Sequence, residues 1–144
     1  MPGEPSPPLL IPSVGAPWPS LRRLAVVGCG GAVGATGRWG VGLLFLEPSL
    51  DLVRWSWATL VVNLLGCLLI GFAARRVARG SLSWDGLVTG VLGGFTTMSA
   101  IAVQLNDFAD AGRTSMLVGY LVVTLVGGVG ATWLASSVPV GKPS

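Results

Sequence analysis

Four long apolar runs dominate the chain and occupy residues 24–46, 55–74, 86–106 and 114–138. Each has about 20 residues, the length that a helix needs to cross the hydrocarbon core of a membrane. The last three runs carry no charged residue, and the first carries only Arg38. Lipid offers no hydrogen bonds to the backbone, and the period-two alternation of barrel strands is missing. The sequence therefore predicts an all-α membrane protein with four transmembrane helices and short loops.

The composition supports a bilayer as the solvent. Only 10% of the residues are charged and 51% are hydrophobic, whereas a typical soluble domain is about 25% charged. The basic residues lie between the apolar runs rather than in a stripe, so the net charge of +3 does not predict nucleic-acid binding. The chain has no histidine, which excludes His-ligated metal sites and Ser-His-Asp hydrolases. We expect membrane lipid as the surroundings and no enzymatic activity.

The domain organisation follows from the same pattern. Residues 1–20 hold seven of the ten prolines and lack a basic region before an apolar stretch. Proline fixes φ and donates no hydrogen bond, so we expect a disordered leader rather than a signal peptide. Residues 21–138 form the transmembrane domain, and residues 139–144 form a short tail.

The distribution of lysine and arginine predicts the orientation. With four crossings, the N-terminus, the 75–85 loop and the C-terminus lie on one side of the membrane. That side holds six basic residues: Arg22, Arg23, Arg75, Arg76, Arg79 and Lys142. The other side holds two, Arg54 and Arg113. Because basic loops stay on the inner side, both termini are predicted to be cytoplasmic in a multi-pass protein of the cell membrane.

Gly28, Gly30 and Gly34 have a GxGxxxG spacing that resembles a dinucleotide-binding turn. That interpretation needs a βαβ unit, and a 20-residue apolar block follows instead. Gly30 with Gly34, and Gly31 with Ala35, are spaced as the small residues that let helices approach closely in membranes. We interpret the glycines as a helix-packing surface.

Polar side chains inside the spans are costly and raise functional hypotheses. Arg38 either extends toward the membrane surface or is a buried cation that attracts an anion. Asn63 either makes an interhelical hydrogen bond or donates to a permeating ion. Tyr120 and Thr124 lie one helical turn apart on one face, where they either join helices or line a pore.

The third span contains the sequence GGFTTMSA at residues 93–100. Two glycines and three hydroxyl side chains at midspan favour a broken helix, which is tolerated only where other groups satisfy the backbone. Such breaks coordinate ions in transporters. A bent helix without any ligand is the alternative.

The chain resembles the CrcB/Fluc family of fluoride channels over about residues 22–138. The matching motifs are GGAVGATGRW, WATLVVNLLGCLLIG and GVLGGFTTMSAI, in this order on the first three spans. The resemblance implies a subunit of an antiparallel dimer that exports fluoride passively through pores at the subunit interface. It also implies a third helix broken at midspan, with a structural sodium ion at the dimer axis held by the carbonyls of Gly93 and Thr96.

The resemblance implies an ion pathway and exposes one departure. The implied pathway residues are Asn63, Ser99, Tyr120, Thr124 and Arg38. The family's third span usually reads TTFSTF, but Met98 and Ile101 here replace its two phenylalanines and Ala100 replaces a threonine. The edges of aromatic rings carry the positive part of the quadrupole, which methionine and isoleucine lack.

The missing aromatic rings and the biased orientation favour an antiparallel heterodimer with a paralogue that supplies the phenylalanines. A homodimer is the other arrangement. Two further functions stay open, namely a non-conducting assembly partner and a small four-helix multidrug or cation exporter. A proton-coupled exporter wants a carboxylate at mid-membrane, and the acidic residues lie outside the four runs.

Overall fold

A computed structural model describes residues 19–45 and 54–138, and the folded part of these residues is helical without any strand. Helix α1 is Leu21–Leu44, and α2 is Trp57–Arg76. Helix α3 comprises a first turn, a π-helical stretch and a last turn: Leu82–Trp84, Asp85–Leu92 and Gly93–Phe95. Helix α4 is Ser99–Asp110, and α5 is Thr114–Ser137. The predicted leader, except for its last two residues, and the predicted tail lie outside the described residues.

Within the described residues, three helical segments are long and apolar enough to cross a membrane. They are Trp57–Arg76, Leu82–Asp110 and Thr114–Ser137, with mean hydropathies of 2.0, 1.6 and 1.8. Leu21–Leu44 has the required length but is not among these apolar segments. The all-helical, multi-pass membrane architecture is therefore confirmed.

Serine side chains begin three of the helices, and glycines form two of the turns. The hydroxyls of Ser20, Ser56 and Ser81 accept backbone N–H bonds from the first turns of α1, α2 and α3, as N-caps do. Gly80 and Gly112 adopt φ of 77° and 67° in the turns before α3 and α5. This left-handed conformation favours glycine.

Glycines let α1 pack directly on α3. Gly30 and Gly34 are buried. A Cβ atom on Gly34 would overlap the carbonyl oxygen of Val91, and one on Gly30 would lie 2.5 Å from that of Gly86. The GxGxxxG segment is helical throughout, which confirms helix packing and excludes the dinucleotide-binding interpretation.

The apolar core lies where α2, α4 and α5 meet. Its buried members are Leu60, Ile101, Phe108 and Tyr120. The ring of Phe108 meets that of Tyr120 edge-on, with 5.9 Å between centroids, an arrangement that aromatic quadrupoles favour.

The predicted break in the third span lies slightly later than the glycines suggested. Gly93 is helical, with φ −65° and ψ −38°, whereas Thr96 is extended, with ψ 157°, and the helix resumes at Ser99. The third span is therefore broken at the threonine of the predicted Gly93–Thr96 stretch and not at its glycines. Gly94 instead lies against the backbone of Gly31, where any side chain would overlap α1.

Two arginines fasten helix ends at one end of the bundle. Arg23 donates to the carbonyl oxygen of Gly80 at 2.6 Å and pairs with Asp85 at 3.3 Å. Arg75 donates to the carbonyl oxygens of Ser136 and Val138. The start of α1, the turn between α2 and α3, and the end of α5 therefore lie together.

Candidate functional site at the helix break

Asn63 of α2 holds the non-helical segment between α3 and α4. Its Nδ2 donates to the carbonyl oxygen of Thr97 at 3.1 Å, and its Oδ1 accepts from the Thr97 N–H at 2.8 Å. Asn63 is 8% exposed. A break at membrane depth leaves backbone groups without helical partners, and a buried amide can satisfy one of each kind. Asn63 therefore makes the interhelical bond that was one of its two predicted roles.

Arg38 of α1 reaches the same break from another side. Its Nη1 donates to the carbonyl oxygen of Thr96 at 3.3 Å, and the side chain is half-buried. The Thr96 hydroxyl donates to the carbonyl oxygen of Leu92 at 2.9 Å, and its methyl group occupies the space above Gly66 of α2. Three helices thus converge on Thr96 and Thr97.

A first cleft, with a volume of about 590 Å³ and several polar side chains in its lining, opens beside the break. Its polar lining consists of Arg38, Ser56, Thr59, Thr97, Ser99, Gln104 and Asp107. The hydroxyls of Thr97 and Ser99 are 3.1 Å apart. This cleft brings together two of the predicted pathway residues, Arg38 and Ser99.

A second, more apolar cleft of about 390 Å³ adjoins the break between α2 and α5. Its lining includes Asn63, Thr96, Thr97, Thr124 and Thr132, together with Met98 and Ile101. The hydroxyl oxygen of Thr124 is buried and has no hydrogen-bond partner among the described residues. Thr97 lines both clefts, so the two adjoin at the non-helical segment.

Tyr120 does not lie in either cleft. Its side chain is 0% exposed, and its hydroxyl donates to the carbonyl oxygen of Ser56 at 3.3 Å. Trp55 packs edge-on against its ring, with 5.5 Å between centroids. Tyr120 therefore fixes the start of α2, whose Ser56 lines the first cleft.

Gly93 and Thr96, the predicted metal ligands, flank the last turn of α3. In a continuous helix the carbonyl of Gly93 would accept from the N–H of Thr97, but that N–H donates to Asn63. The carbonyl of Thr96 already accepts from Arg38. Both are therefore backbone oxygens at the carboxyl end of a helix, where the dipole is negative.

Gln104 is a site residue that sequence reasoning missed. It lies in α4, is 8% exposed and lines the first cleft. From the sequence, only the hydroxyl side chains of the uncharged third span were considered. The amide of Gln104 is as costly to bury in an apolar run as a hydroxyl. A buried amide at this position could therefore have been predicted to have a function from the sequence.

The polar groups at the break are uncharged except for Arg38 and, toward the end of α4, Asp107. Among residues 19–45 and 54–138, no group of three or more His, Cys, Asp or Glu residues could hold a metal ion. The hydroxyls, amides and one guanidinium supply hydrogen-bond donors within an apolar bundle. Such an arrangement suits a small anion or neutral solute.

The fold and the break define a multi-pass helical membrane protein with two clefts, partly lined by polar side chains, at an interrupted helix. Residues 25–136 match the family described as CrcB-like protein, Camphor Resistance (CrcB). The chain belongs to this CrcB-like family.

Similar proteins from several organisms carry the name fluoride-specific ion channel FluC. The relative from Chloroflexus aurantiacus is 34% identical over 113 residues, which cover 76% of this chain and 88% of the relative. The relative from Methylobacillus flagellatus is 35% identical over 118 residues, covering 79% and 91%. The relative from Thermus thermophilus is 37% identical over 103 residues, covering 69% and 81%.

Proposed function

We propose that the chain is a subunit of a fluoride-specific ion channel that lets fluoride leave the cytoplasm and so reduces its toxicity. The observation that carries the proposal is the pair of clefts, each with polar side chains in its lining, that adjoin at Thr97 inside an otherwise apolar span. Membership of the CrcB-like family and the names of the relatives supply the identity of the ion.

Fluoride is small and strongly hydrated, so a narrow pathway must replace its water with hydrogen-bond donors. In the first cleft, Arg38 and Ser99 supply a guanidinium and a hydroxyl. In the second cleft, Asn63 and Thr124 supply an amide and a hydroxyl. Tyr120 acts at a distance, because its hydroxyl holds the carbonyl of Ser56 at the rim of the first cleft.

A sodium ion fits the carboxyl end of α3 as a structural cofactor. Carbonyls at the ends of broken helices coordinate sodium in membrane proteins, and Gly93 and Thr96 would supply two such oxygens. The Thr97 N–H, which would occupy the carbonyl of Gly93 in a continuous helix, is bound to Asn63 instead. The carbonyl oxygen of Thr96 accepts one hydrogen bond from Arg38. Its second lone pair would be available to the ion. When bound, the ion would stabilise the unwound backbone.

The proposed topology has four crossings, with α1 as the first. The contacts of Arg23 with Gly80 and of Arg75 with Ser136 support it, because four crossings bring these helix ends to one side. The excess of lysine and arginine on that side makes it the cytoplasmic side.

The proposed assembly is an antiparallel dimer, and a heterodimer is favoured over a homodimer. Met98 lies in the second cleft and is 69% exposed, whereas Ile101 is only 5% exposed and belongs to the core. Neither side chain offers an aromatic edge to an anion. A paralogue would supply those edges, and in the limiting case this chain would contribute to assembly without conducting.

A drug or cation exporter of the four-helix type is less favoured. Such a transporter wants a carboxylate at mid-membrane. Asp85 is at the start of the third span and pairs with Arg23, while Asp107 and Asp110 are in the last turn of α4.

The test of the proposed function is fluoride efflux from liposomes that contain the purified chain, alone and together with a phenylalanine-bearing paralogue. Fluoride efflux without chloride efflux is expected. Equal flux of both ions, or no fluoride flux in any pairing, would refute the channel function. Replacing external and internal sodium by a large organic cation is expected to reduce the flux, and unchanged flux would refute the sodium site alone.

A further inference from the structure

A third cleft, away from the helix break, lies between the end of α2 and the π-helical part of α3. It has a volume of about 380 Å³. Apolar side chains form its walls and one arginine lies at its end, as shown by the lining residues Leu69, Phe72, Val77, Leu87, Val91 and Arg76. Leu69 and Leu87 are 46% and 43% exposed, so the cleft opens toward the surrounding lipid.

The arginines at this end of the bundle differ in what they bind. Arg23 and Arg75 use their guanidinium groups on backbone carbonyls, and Arg23 also pairs with Asp85. Arg76 instead lies over the ring of Phe72, with 5.5 Å from the guanidinium carbon to the ring centroid. Within the described part of the chain, no carboxylate lies within ion-pair distance of Arg76.

Arg79 adds a second positive charge near the same end. Its guanidinium lies over the ring of Trp84, at 5.7 Å from the centroid. Tryptophan is enriched at the membrane–water interface, so Trp84 marks the depth at which lipid headgroups lie. The cleft thus has an apolar part inside the membrane and positive charge at its boundary.

We propose that this cleft binds one anionic phospholipid molecule. The phosphodiester accepts hydrogen bonds from Arg76, whose planar guanidinium can bind two oxygens at once. One acyl chain lies along Leu69, Leu87 and Val91, and Arg79 adds attraction for the headgroup charge. Basic pockets between membrane helices bind anionic lipids for the same reason. This inference does not depend on which ion the protein conducts.

The test measures lipid binding to the intact protein, together with its partner subunit where one is required. Native mass spectrometry compares phosphatidylglycerol with phosphatidylcholine of identical acyl chains. The wild-type protein is expected to prefer phosphatidylglycerol by about fivefold for each arginine that contacts the headgroup. Arg76→Gln is expected to reduce that preference about fivefold.

Arg22→Gln is the matched control, because Arg22 is an exposed arginine in the first turn of α1, at the same end of the bundle. It is expected to keep the preference. Leu69→Trp leaves the charges unchanged but fills the cleft, so it should weaken binding of both lipids. The proposal fails if Arg76→Gln keeps the preference or if Arg22→Gln loses as much. It also fails if Leu69→Trp binds like the wild type, or if inorganic phosphate displaces the lipid, since the site would then recognise phosphate alone.

Discussion

Asn63 binds the backbone of Thr97 through both ends of its amide, at 3.1 Å and 2.8 Å. A single side chain of α2 thus binds both the backbone N–H and the backbone carbonyl of Thr97 in the broken segment. The two bonds fix the direction in which α4 leaves the break. They also explain why an amide, rather than a hydroxyl, suits this position, since only the amide presents a donor and an acceptor side by side.

Asn63→Leu should therefore damage both the fold and the ion flux. Leucine is close in size but leaves the N–H and the carbonyl of Thr97 without partners, at about 1–3 kcal/mol for each group. We expect a lower melting temperature in detergent and a fluoride efflux reduced at least about tenfold. Asn106→Ala is the control, because Asn106 is exposed and donates to Asp110, away from the break. Wild-type flux and stability in Asn63→Leu would remove Asn63 from the pathway.

Thr124→Val separates conduction from stability at a second position. Its hydroxyl oxygen is buried and has no partner within residues 19–45 and 54–138, and replacing an unsatisfied polar group by an apolar group of the same shape is neutral or stabilising. We expect an unchanged or higher melting temperature together with reduced fluoride efflux from liposomes. Thr132→Val, in the same cleft, removes a hydroxyl that is bonded to the carbonyls of Cys67 and Gly128. If both variants keep full flux, the hydroxyls of Thr124 and Thr132 do not contact the ion.

Gln104→Leu tests the first cleft. The buried amide is replaced by an apolar side chain of similar size, so the cleft loses a donor and an acceptor. We expect the fluoride efflux rate to fall. Chloride efflux is measured in the same liposomes, so that selectivity is compared directly. Gln104→Glu, which adds a negative charge, should reduce the flux of an anion further. A faster flux in Gln104→Glu than in Gln104→Leu would contradict anion passage along this cleft.

Gly34→Ala tests the contact between α1 and α3. A Cβ atom at Gly34 would overlap the carbonyl of Val91, and overpacking of this kind costs about 1–3 kcal/mol. Gly40→Ala, where the added atom meets nothing within 4 Å, should be neutral or stabilising by up to about 1 kcal/mol. Thermal unfolding of both variants in detergent measures the difference. Equal melting temperatures would show that α1 can move away from α3 at no cost.

Met98→Phe combined with Ile101→Phe tests the assembly. If the missing aromatic edges limit conduction, the double variant expressed alone should give fluoride efflux that the wild-type chain alone lacks. Met98 is exposed and accepts the larger ring, whereas Ile101 is buried in the core, so Met98→Phe alone is the safer companion variant. Strong efflux from the wild-type chain alone would contradict the need for a paralogue.

The architecture was predictable because each apolar run is long enough to admit only a helix in lipid. The glycines of α1 were also predictable, because small residues four apart have few other uses in a membrane helix. The partner of Asn63 was not predictable, because Asn63 binds the backbone of Thr97 and almost every residue type has the same backbone groups. The position of the break was misplaced for a related reason. Glycines weaken a helix in water, but here Gly93 stays helical and Gly94 admits the backbone of α1.

The pairing of the helices has a consequence for how the protein is made. The most extensive contacts join α1 with α3 and α2 with α5, whereas the neighbours α1 and α2 touch far less. Helices emerge from the ribosome in chain order, so α1 lacks its main partner until the third span is inserted, and α2 lacks its main partner until the last helix is inserted. Gly34 and Arg23 on α1, and Gly71 and Arg75 on α2, stay without their contacts during that interval. The contacts of α2 with α5 can therefore form only after α5 has been synthesised, so the last helix completes the fold.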